Sequence, residues 1–241
     1  MYQPFFEIEI PQQISQKENY NKFIINSISI GAFLLLLIIG WFETRIMCHY
    51  SLPSDCHKHI NNWNIYDDTT NILQKGFILI SVSNLNENIK KLKNKAFLFI
   101  YVSLFLITGP IFAIAGELPG MQTSLATFSI GFNPSCITYF SCLIFTLSVI
   151  SYEIYKIFKY YKYIYLFSYI FSRFLIFLYY LIFSLVLSKQ YHIHIHHLYI
   201  GFIIACLAHD HKIISWIALS IGSGIMVQGI GSYDFATIIQ D

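Results

Sequence analysis

Two long stretches without a charged residue lie in the first half of the chain, separated by a polar segment. Phe23–Phe42 covers twenty residues and Ala96–Gly116 covers twenty-one. An α-helix rises about 1.5 Å per residue, so about twenty apolar residues cross the hydrocarbon core of a bilayer. The pattern therefore predicts a transmembrane helix in each stretch.

Further apolar stretches follow in the second half of the chain. They cover residues 135–152, 164–188, 198–208 and 213–233. The third of these, about eleven residues long, is too short to cross a bilayer by itself. The predicted fold class is all-α: a polytopic helical membrane protein of about six transmembrane helices, with a short helical hairpin near the C-terminus.

The polar segments divide the chain into four parts. We assign a polar N-terminal segment to residues 1–22, the first transmembrane helix to 23–42, a water-exposed loop to 43–95 and a multi-helix membrane domain to 96–241. Within the loop, Gly76–Ser83 has the composition of a β-strand. Glu153–Tyr163 is predicted to be a connector whose lysines and tyrosines suit the headgroup level of a bilayer.

Composition agrees with this prediction and excludes one class of partner. Charged residues make up 12% of the chain, against about 25% in soluble domains. Only two of the basic residues are arginine, and no basic stripe lies outside the membrane flanks, so no nucleic-acid partner is expected. The expected partners are the lipid bilayer and other membrane subunits, and the expected location is an integral, multi-pass one.

Lysine positions predict an orientation for the six helices. Two groups flank the second and third helices: Lys90, Lys91, Lys93 and Lys95, then Lys156, Lys159 and Lys162. Two crossings between the groups place both on one face, which the positive-inside rule makes cytoplasmic. Loop 43–95 would then lie on that face, where cysteines stay reduced, and both termini would lie on the other.

The main metal candidate is a group of four histidines: His192, His194, His196 and His197. On a strand the first three point to one face, and on a helix residues three or four apart are neighbours. Either geometry offers two or three imidazoles to zinc, iron or copper, and such a divalent metal is the cofactor predicted. The alternative is that these side chains cap the following helix or bond to its neighbours.

A second metal candidate combines two parts of the chain: His209, His211, Cys48, Cys56, His57 and His59. Cysteine and histidine are preferred zinc ligands, although the spacing fits no standard zinc finger. Cys48 and Cys56 could instead form a small disulfide loop, if the segment is extracytoplasmic, or no bond at all.

Arg173 lies about ten residues into the fourth predicted helix, near mid-depth in the bilayer. A charge there must pair, face a wet cavity or draw the bilayer inward. The alternative is a structural arginine ahead of a span that begins near Leu175. In the last helix, Ser220 and Gly224 lie four residues apart and predict close helix packing, while Gln228 predicts a polar contact between helices.

A run of short motifs lies near the end of the sequence: His194-Ile-His-His197, a short apolar helix, Met226-Val-Gln-Gly-Ile230 and Tyr233-Asp-Phe-Ala236. This run resembles the C-terminal end of the multi-pass region of fungal LCCL-domain membrane proteins. The LCCL domain itself is absent, because residues 43–95 are too short for it and lack its cysteine pattern. The resemblance implies a multi-helix membrane architecture and importance for His196 and His197, without a mechanism.

Two functions are compatible with these features. The one we favour is a non-enzymatic structural or assembly role, in which histidines and small residues organise helix packing. The alternative is a metal-dependent membrane enzyme or redox protein, with the four histidines as ligands and Arg173 orienting an anionic, lipid-like substrate. The sequence shows no Ser-His-Asp order, phosphate loop or paired intramembrane carboxylates, and whether the protein is an enzyme stays open at this point.

Overall fold

Seven α-helices account for most of the residues that the structure, a computed structural model, describes. The described residues are 11–52, 56, 65–83, 95–116, 134–160, 163–187, 192–193, 197–209, 212–233 and 239–240. The helices are α1 (Pro11–His49), α2 (Ile65–Val82), α3 (Lys95–Gly116), α4 (Pro134–Tyr160), α5 (Tyr163–Leu187), α6 (His197–Leu207) and α7 (Ile213–Tyr233). A two-residue strand β1 (His192–Ile193) pairs antiparallel with β2 (Ile239–Gln240). Apart from this short pairing, the predicted all-α fold class is confirmed.

Four of the described helices are long and apolar enough to cross a membrane. Their apolar segments are Asn26–His49, Leu98–Ala115, Tyr163–Ile182 and Ile213–Ser232, and each coincides with a predicted transmembrane helix. α6 has only 11 residues and is too short to cross alone. α4 covers the predicted helix at 135–152 but is not among the four, so length and apolarity do not reproduce the predicted number of six.

The segment predicted to be a loop, residues 43–95, is mostly helical where the structure describes it. α1 continues to His49, and α2 occupies the position of the predicted strand at Gly76–Ser83. The strand prediction is wrong because the buried positions of α2 follow the three-and-four spacing of a helix. These positions are Asp68, Ile72, Lys75, Gly76, Leu79 and Ile80.

The predicted connector Glu153–Tyr163 is also mostly helical. α4 continues to Tyr160 and α5 begins at Tyr163, so only two residues separate the helices. The Phe158 and Tyr163 rings lie with centroids 5.6 Å apart. The end of α4 and the start of α5 therefore contact each other.

α7 is the central helix of the bundle. In its apolar segment 78% of the residues are buried, against 11% in that of α5. One face of α7 packs against α6 at backbone distance, because a Cβ added to Gly201 would lie 2.6 Å from the Gly222 carbonyl oxygen. Only residues without a side chain allow this approach.

A second face of α7 packs against α3. The Ser220 hydroxyl donates a hydrogen bond of 2.8 Å to the Tyr101 carbonyl, and a Cβ on Gly224 would lie 2.9 Å from the Phe105 carbonyl oxygen. The predicted close packing through Ser220 and Gly224 is confirmed. Gln228 instead donates to the Ser232 hydroxyl in the same helix, at 3.0 Å.

Each described helix runs opposite to the one before it along the chain. Contacts at two levels fix the direction of most pairs, and α4 runs opposite to α7 because Glu153 bonds to Ser215 while Val149 shares a cluster with Ala218. The contacts are Arg45–Asp68 and Leu37–Gly76 between α1 and α2, Phe33–Tyr101 and Gly40–Phe105 between α1 and α3, Tyr169–Leu207 and Tyr180–Tyr199 between α5 and α6, and Gly201–Met226 and Leu198–Gly229 between α6 and α7.

This alternation gives the bundle two distinct ends. At the first, which we call the lysine end, α2, α4 and α6 finish and α3, α5 and α7 begin. At the second, the disulfide end, α1 finishes and a disulfide joins Cys48 to Cys56. The disulfide packs on the last turn of α7, with Cys56 Sγ 3.6 Å from the Ser232 carbonyl oxygen.

α1 ends in a Schellman motif built on an unusual residue. The Leu52 amide donates to the Met47 carbonyl at 3.0 Å and the Ser51 amide to the Cys48 carbonyl at 2.9 Å, which is the bonding pattern of that motif. Ser51 occupies the left-handed position with φ 63°, where glycine is usual because a Cβ is strained.

We expect Ser51→Gly to stabilise the protein by about 0.5–1 kcal/mol, because glycine removes the strain of the left-handed conformation. Thermal unfolding of detergent-purified protein measures the change. Ser51→Ala is the matched control, since it removes the hydroxyl and keeps the Cβ. Equal unfolding temperatures for the glycine and alanine variants would contradict the assignment.

Candidate functional site

Arg173 closes the C-terminal ends of two other helices. Its Nη2 donates to the Val82 carbonyl at the end of α2, at 2.6 Å, and its Nε donates to the Cys206 carbonyl near the end of α6, at 3.1 Å. Nη2 also lies 3.5 Å from the Ala208 carbonyl oxygen. One side chain of α5 thus holds three backbone carbonyls from two neighbours.

The arrangement follows from helix electrostatics. The last carbonyls of a helix have no partner within it and carry the negative end of the macrodipole, about half an elementary charge. Two such ends converge on one guanidinium, so together they match its positive charge. The planar fork of arginine presents five N–H donors, enough to reach both helices at once.

Arg173 lies well along α5 rather than in its first turn. α5 begins at Tyr163, ten residues earlier, which is compatible with a membrane span that begins either there or near Leu175. The helix end that Arg173 closes is internal, because Leu207 shares a hydrophobic cluster with Ala218, well inside α7. The predicted intramembrane charge therefore has backbone partners.

Tyr169 and His209 complete the surroundings of Arg173. The guanidinium carbon lies 4.1 Å from the Tyr169 ring centroid, and the Tyr169 hydroxyl donates to the Leu207 carbonyl at 2.8 Å. The His209 ring lies 5.5 Å from that of Tyr169.

Glu153 of α4 is fully buried and accepts a hydrogen bond from the Ser215 hydroxyl, so α4 also contributes an ionisable group to this end.

A narrow groove runs from Arg173 between α5 and α6. It encloses about 50 Å³ and is lined by Arg173, Ile176, Phe177, Tyr180, Tyr199, Phe202, Ile203, Cys206 and Leu207. Apart from Arg173 its walls are mainly aromatic and aliphatic. The guanidinium donors point to helix carbonyls, so the geometry supports a structural clamp better than a binding site for an anionic substrate.

A second buried charge cluster links α1 to α2, and the sequence did not predict it. Arg45 and Asp68 form a salt bridge of 2.6 Å with both side chains almost fully buried. The Trp41 indole donates to the same carboxylate oxygen at 2.7 Å. The signal was present as an arginine and an aspartate 23 residues apart, but both lay in a segment interpreted as a loop.

The second metal candidate is not brought together by the structure. Cys48 and Cys56 are bonded to each other, so neither offers a thiolate, and the disulfide alternative holds instead. His209 contacts Tyr169 near the lysine end, whereas Cys48 contacts Ser232 at the opposite end of α7. The stretch of α7 from Ala218, which shares a cluster with Leu207, to Ser232 separates these sites by about 20 Å. His57, His59 and His211 lie outside the described residues.

The first metal candidate is described only in part. His192 lies in β1, opposite Gln240, and His197 is the first residue of α6, while His194 and His196 lie outside the described residues. Within the ranges that the structure describes, no group of three or more His, Cys, Asp or Glu residues could hold a metal ion. The metal proposed for these histidines stays a prediction.

No family model, no curated protein and no solved structure matches this chain. The resemblance to the membrane region of fungal LCCL-domain proteins therefore stays a prediction. Function must be argued from the residues and contacts of the chain itself.

We expect Arg173→Lys to destabilise the protein by about 2 kcal/mol, although it keeps the charge. One ammonium cannot reproduce a planar fork that bonds carbonyls of two helices, and hydrogen bonds to charged groups contribute about 1.5–3 kcal/mol each. Thermal unfolding in detergent tests the loss, with Ser172→Ala as a control that removes only one bond to the guanidinium. Wild-type stability in the lysine variant would contradict the double cap.

Proposed function

We propose that this protein is a multi-pass membrane protein with a structural or assembly role rather than a catalytic one. The observation that carries the proposal is that Arg173, a charge inside the bundle, bonds to the ends of two neighbouring helices. Arg45 likewise pairs with Asp68 of the next helix. Both intramembrane arginines thus hold helices together, which supports an architectural use for residues that are costly in a bilayer.

Metal analysis of the detergent-purified protein tests this role against the metal-dependent alternative. We expect metal well below one ion per chain, both in the wild type and in His196→Ala/His197→Ala. His49→Ala, which changes an exposed histidine of α1, is the matched control. Stoichiometric zinc, iron or copper that the double variant loses and the control keeps would overturn the structural role.

We also infer that the chain changes sides of the membrane seven times, once for each described helix, with the 11-residue α6 crossing together with the residues that flank it. The alternating directions of the helices support this, including those of α2, α4 and α6, which length and apolarity alone do not identify as membrane-spanning. α2 adds a crossing inside the segment predicted to be a loop. With that crossing, the disulfide and the lysine groups lie on opposite faces.

Two independent signals agree with this orientation. The lysine groups at 90–95 and 156–162 join helices at the lysine end, which the positive-inside rule makes cytoplasmic. Disulfides persist in oxidising compartments, and the bond between Cys48 and Cys56 lies at the other end. We infer that the membrane separates a reducing from an oxidising compartment, with α1 beginning on the reducing side.

Epitope tags and thiol labelling test the orientation. A tag before residue 11 is expected to be accessible from the cytoplasm, and a tag inserted after residue 54 only from the opposite side. In the denatured protein, three of the five cysteines should react with a maleimide polymer without a reductant, and Cys48 and Cys56 only after reduction. Both tags on one side, or labelling of all five cysteines without a reductant, would overturn the scheme.

A further inference from the structure

The end of α4 and the start of α5 present an exposed aromatic and basic surface at the lysine end. Its aromatic side chains are largely solvent-exposed outside a membrane, at 58% for Tyr155, 64% for Tyr160 and 76% for Tyr163. Two residues separate α4 from α5, and the Phe158 and Tyr163 rings lie with centroids 5.6 Å apart, so the end of α4 and the start of α5 present these rings at the same end of the bundle. We call this set, with Lys156 and Lys159, the α4–α5 surface.

The lysines of this surface are held among the rings. Lys156 Nζ lies 5.6 Å from the Tyr152 ring centroid and 5.7 Å from that of Tyr160. Lys159 Nζ lies 5.4 Å from the Tyr160 centroid and donates to the Tyr155 hydroxyl at 3.2 Å. The ammonium groups of both lysines are therefore positioned next to the tyrosine side chains.

The exposed charge of this part of the chain has one sign. Glu153, one turn before Lys156, is buried and bonded to Ser215. From residue 154 to residue 209 the sequence contains no aspartate or glutamate, while it carries Lys156, Lys159 and Lys162. Tyrosine and lysine side by side are typical of the headgroup level of a bilayer. Basic clusters next to transmembrane helices attract anionic lipids by about 1 kcal/mol for each lysine near the surface.

We propose that the α4–α5 surface binds the anionic headgroups of phospholipids in the leaflet at the lysine end. The lysines contact the phosphate and carboxylate groups of the lipid, and the tyrosine rings lie between headgroups and acyl chains. This inference uses the membrane location in the proposed function but depends neither on the metal content nor on the orientation of the chain.

Native mass spectrometry of the full chain in detergent tests the proposal with two lipids that share the same acyl chains. Palmitoyl-oleoyl phosphatidylserine is expected to bind more tightly than palmitoyl-oleoyl phosphatidylcholine. Each lysine removed in Lys156→Gln and Lys159→Gln should lower this preference about five-fold. Lys212→Gln is the matched control, because it removes an exposed lysine at the same end but outside the surface.

Three results would overturn the proposal. One is equal affinity for the two lipids in the wild-type protein. Another is an equal loss of preference in Lys212→Gln and Lys159→Gln, which would indicate net charge without a site. The third is displacement of phosphatidylserine by an acidic peptide at lower concentration than by the lipid itself, which would assign the surface to a protein partner. Metal analysis and tag accessibility are separate measurements, so a negative lipid-binding result would not contradict the structural role or the orientation.

Discussion

Gly222→Ala is expected to destabilise the protein by about 3–5 kcal/mol, enough to prevent assembly of α6 on α7. A Cβ at Gly222 would lie 2.6 Å from the Gly201 carbonyl oxygen and 2.9 Å from Ala205 Cα. These are backbone atoms, so the clash cannot be relieved by a side-chain rotation, and the two helices must separate. Overpacking of a rigid interface typically costs 1–3 kcal/mol and more where backbone must move.

Gly31→Ala is the matched control for this prediction. It lies in α1 with no heavy atom within 4 Å of the added Cβ, so it should stabilise the helix slightly, because alanine is the better helix former. Unfolding temperature and the monodisperse fraction in detergent measure both variants. Changes of the same sign in the two variants would show that the α6–α7 contact is looser than described.

Asp68→Ala is expected to cost about 3–5 kcal/mol, because it leaves the Arg45 guanidinium buried without its carboxylate. It also removes the acceptor of the Trp41 indole. Asp67→Ala changes the neighbouring exposed aspartate and should remain within about 0.5 kcal/mol of the wild type. Comparing the two variants distinguishes the stability lost with the buried ion pair from the stability lost with a negative charge in the first turn of α2.

A double variant, Arg45→Met/Asp68→Leu, should recover a large part of the loss caused by Asp68→Ala. Replacing both members of a buried ion pair with apolar residues is often neutral, whereas removing one leaves a charge in a medium that solvates it poorly. Thermal unfolding of the single and double variants gives the coupling between the two sites. Additive losses would mean that Arg45 and Asp68 do not act as a pair.

The fold class could be predicted from the sequence because it depends on local properties. Twenty uncharged residues at Phe23–Phe42 are sufficient to indicate a helix in lipid, whatever the rest of the chain does. Close packing through Ser220 and Gly224 was predictable for the same reason, since small residues four apart share one face.

Helix α2 was not predicted from the sequence because charged residues lie within its apolar stretch. Asp68 and Lys75 interrupt the apolar run, and the residues after them are rich in β-branched types. The burial of Asp68 depends on its ion pair with Arg45 of α1. The burial of Lys75 depends on Tyr180 of α5, whose ring centroid lies 5.5 Å from Lys75 Nζ. Those partners are distant in sequence, and only the assembled bundle identifies them. The helical spacing of the buried positions was the one local signal available.

The candidate site, like the fold, could be predicted from the sequence only in part. The position of Arg173, ten residues after the start of α5, followed from counting residues along the apolar stretch. Its hydrogen-bond partners could not be predicted in this way, because they are the backbone carbonyls of Val82 and Cys206, and every residue has a backbone carbonyl. Where a helix ends inside a bundle depends on the neighbours that surround it.

The central position of α7 has a consequence for biosynthesis. Cys48 contacts Gly231 across 183 residues of sequence, and α7 is the last of the seven described helices to leave the ribosome. Until it arrives, α1, α3 and α6 lack the common partner that holds them together in the folded bundle. Ribosome-stalled chains that end before residue 213 should therefore be open to proteases and to chaperones that recognise unassembled membrane segments, however well each earlier helix has inserted.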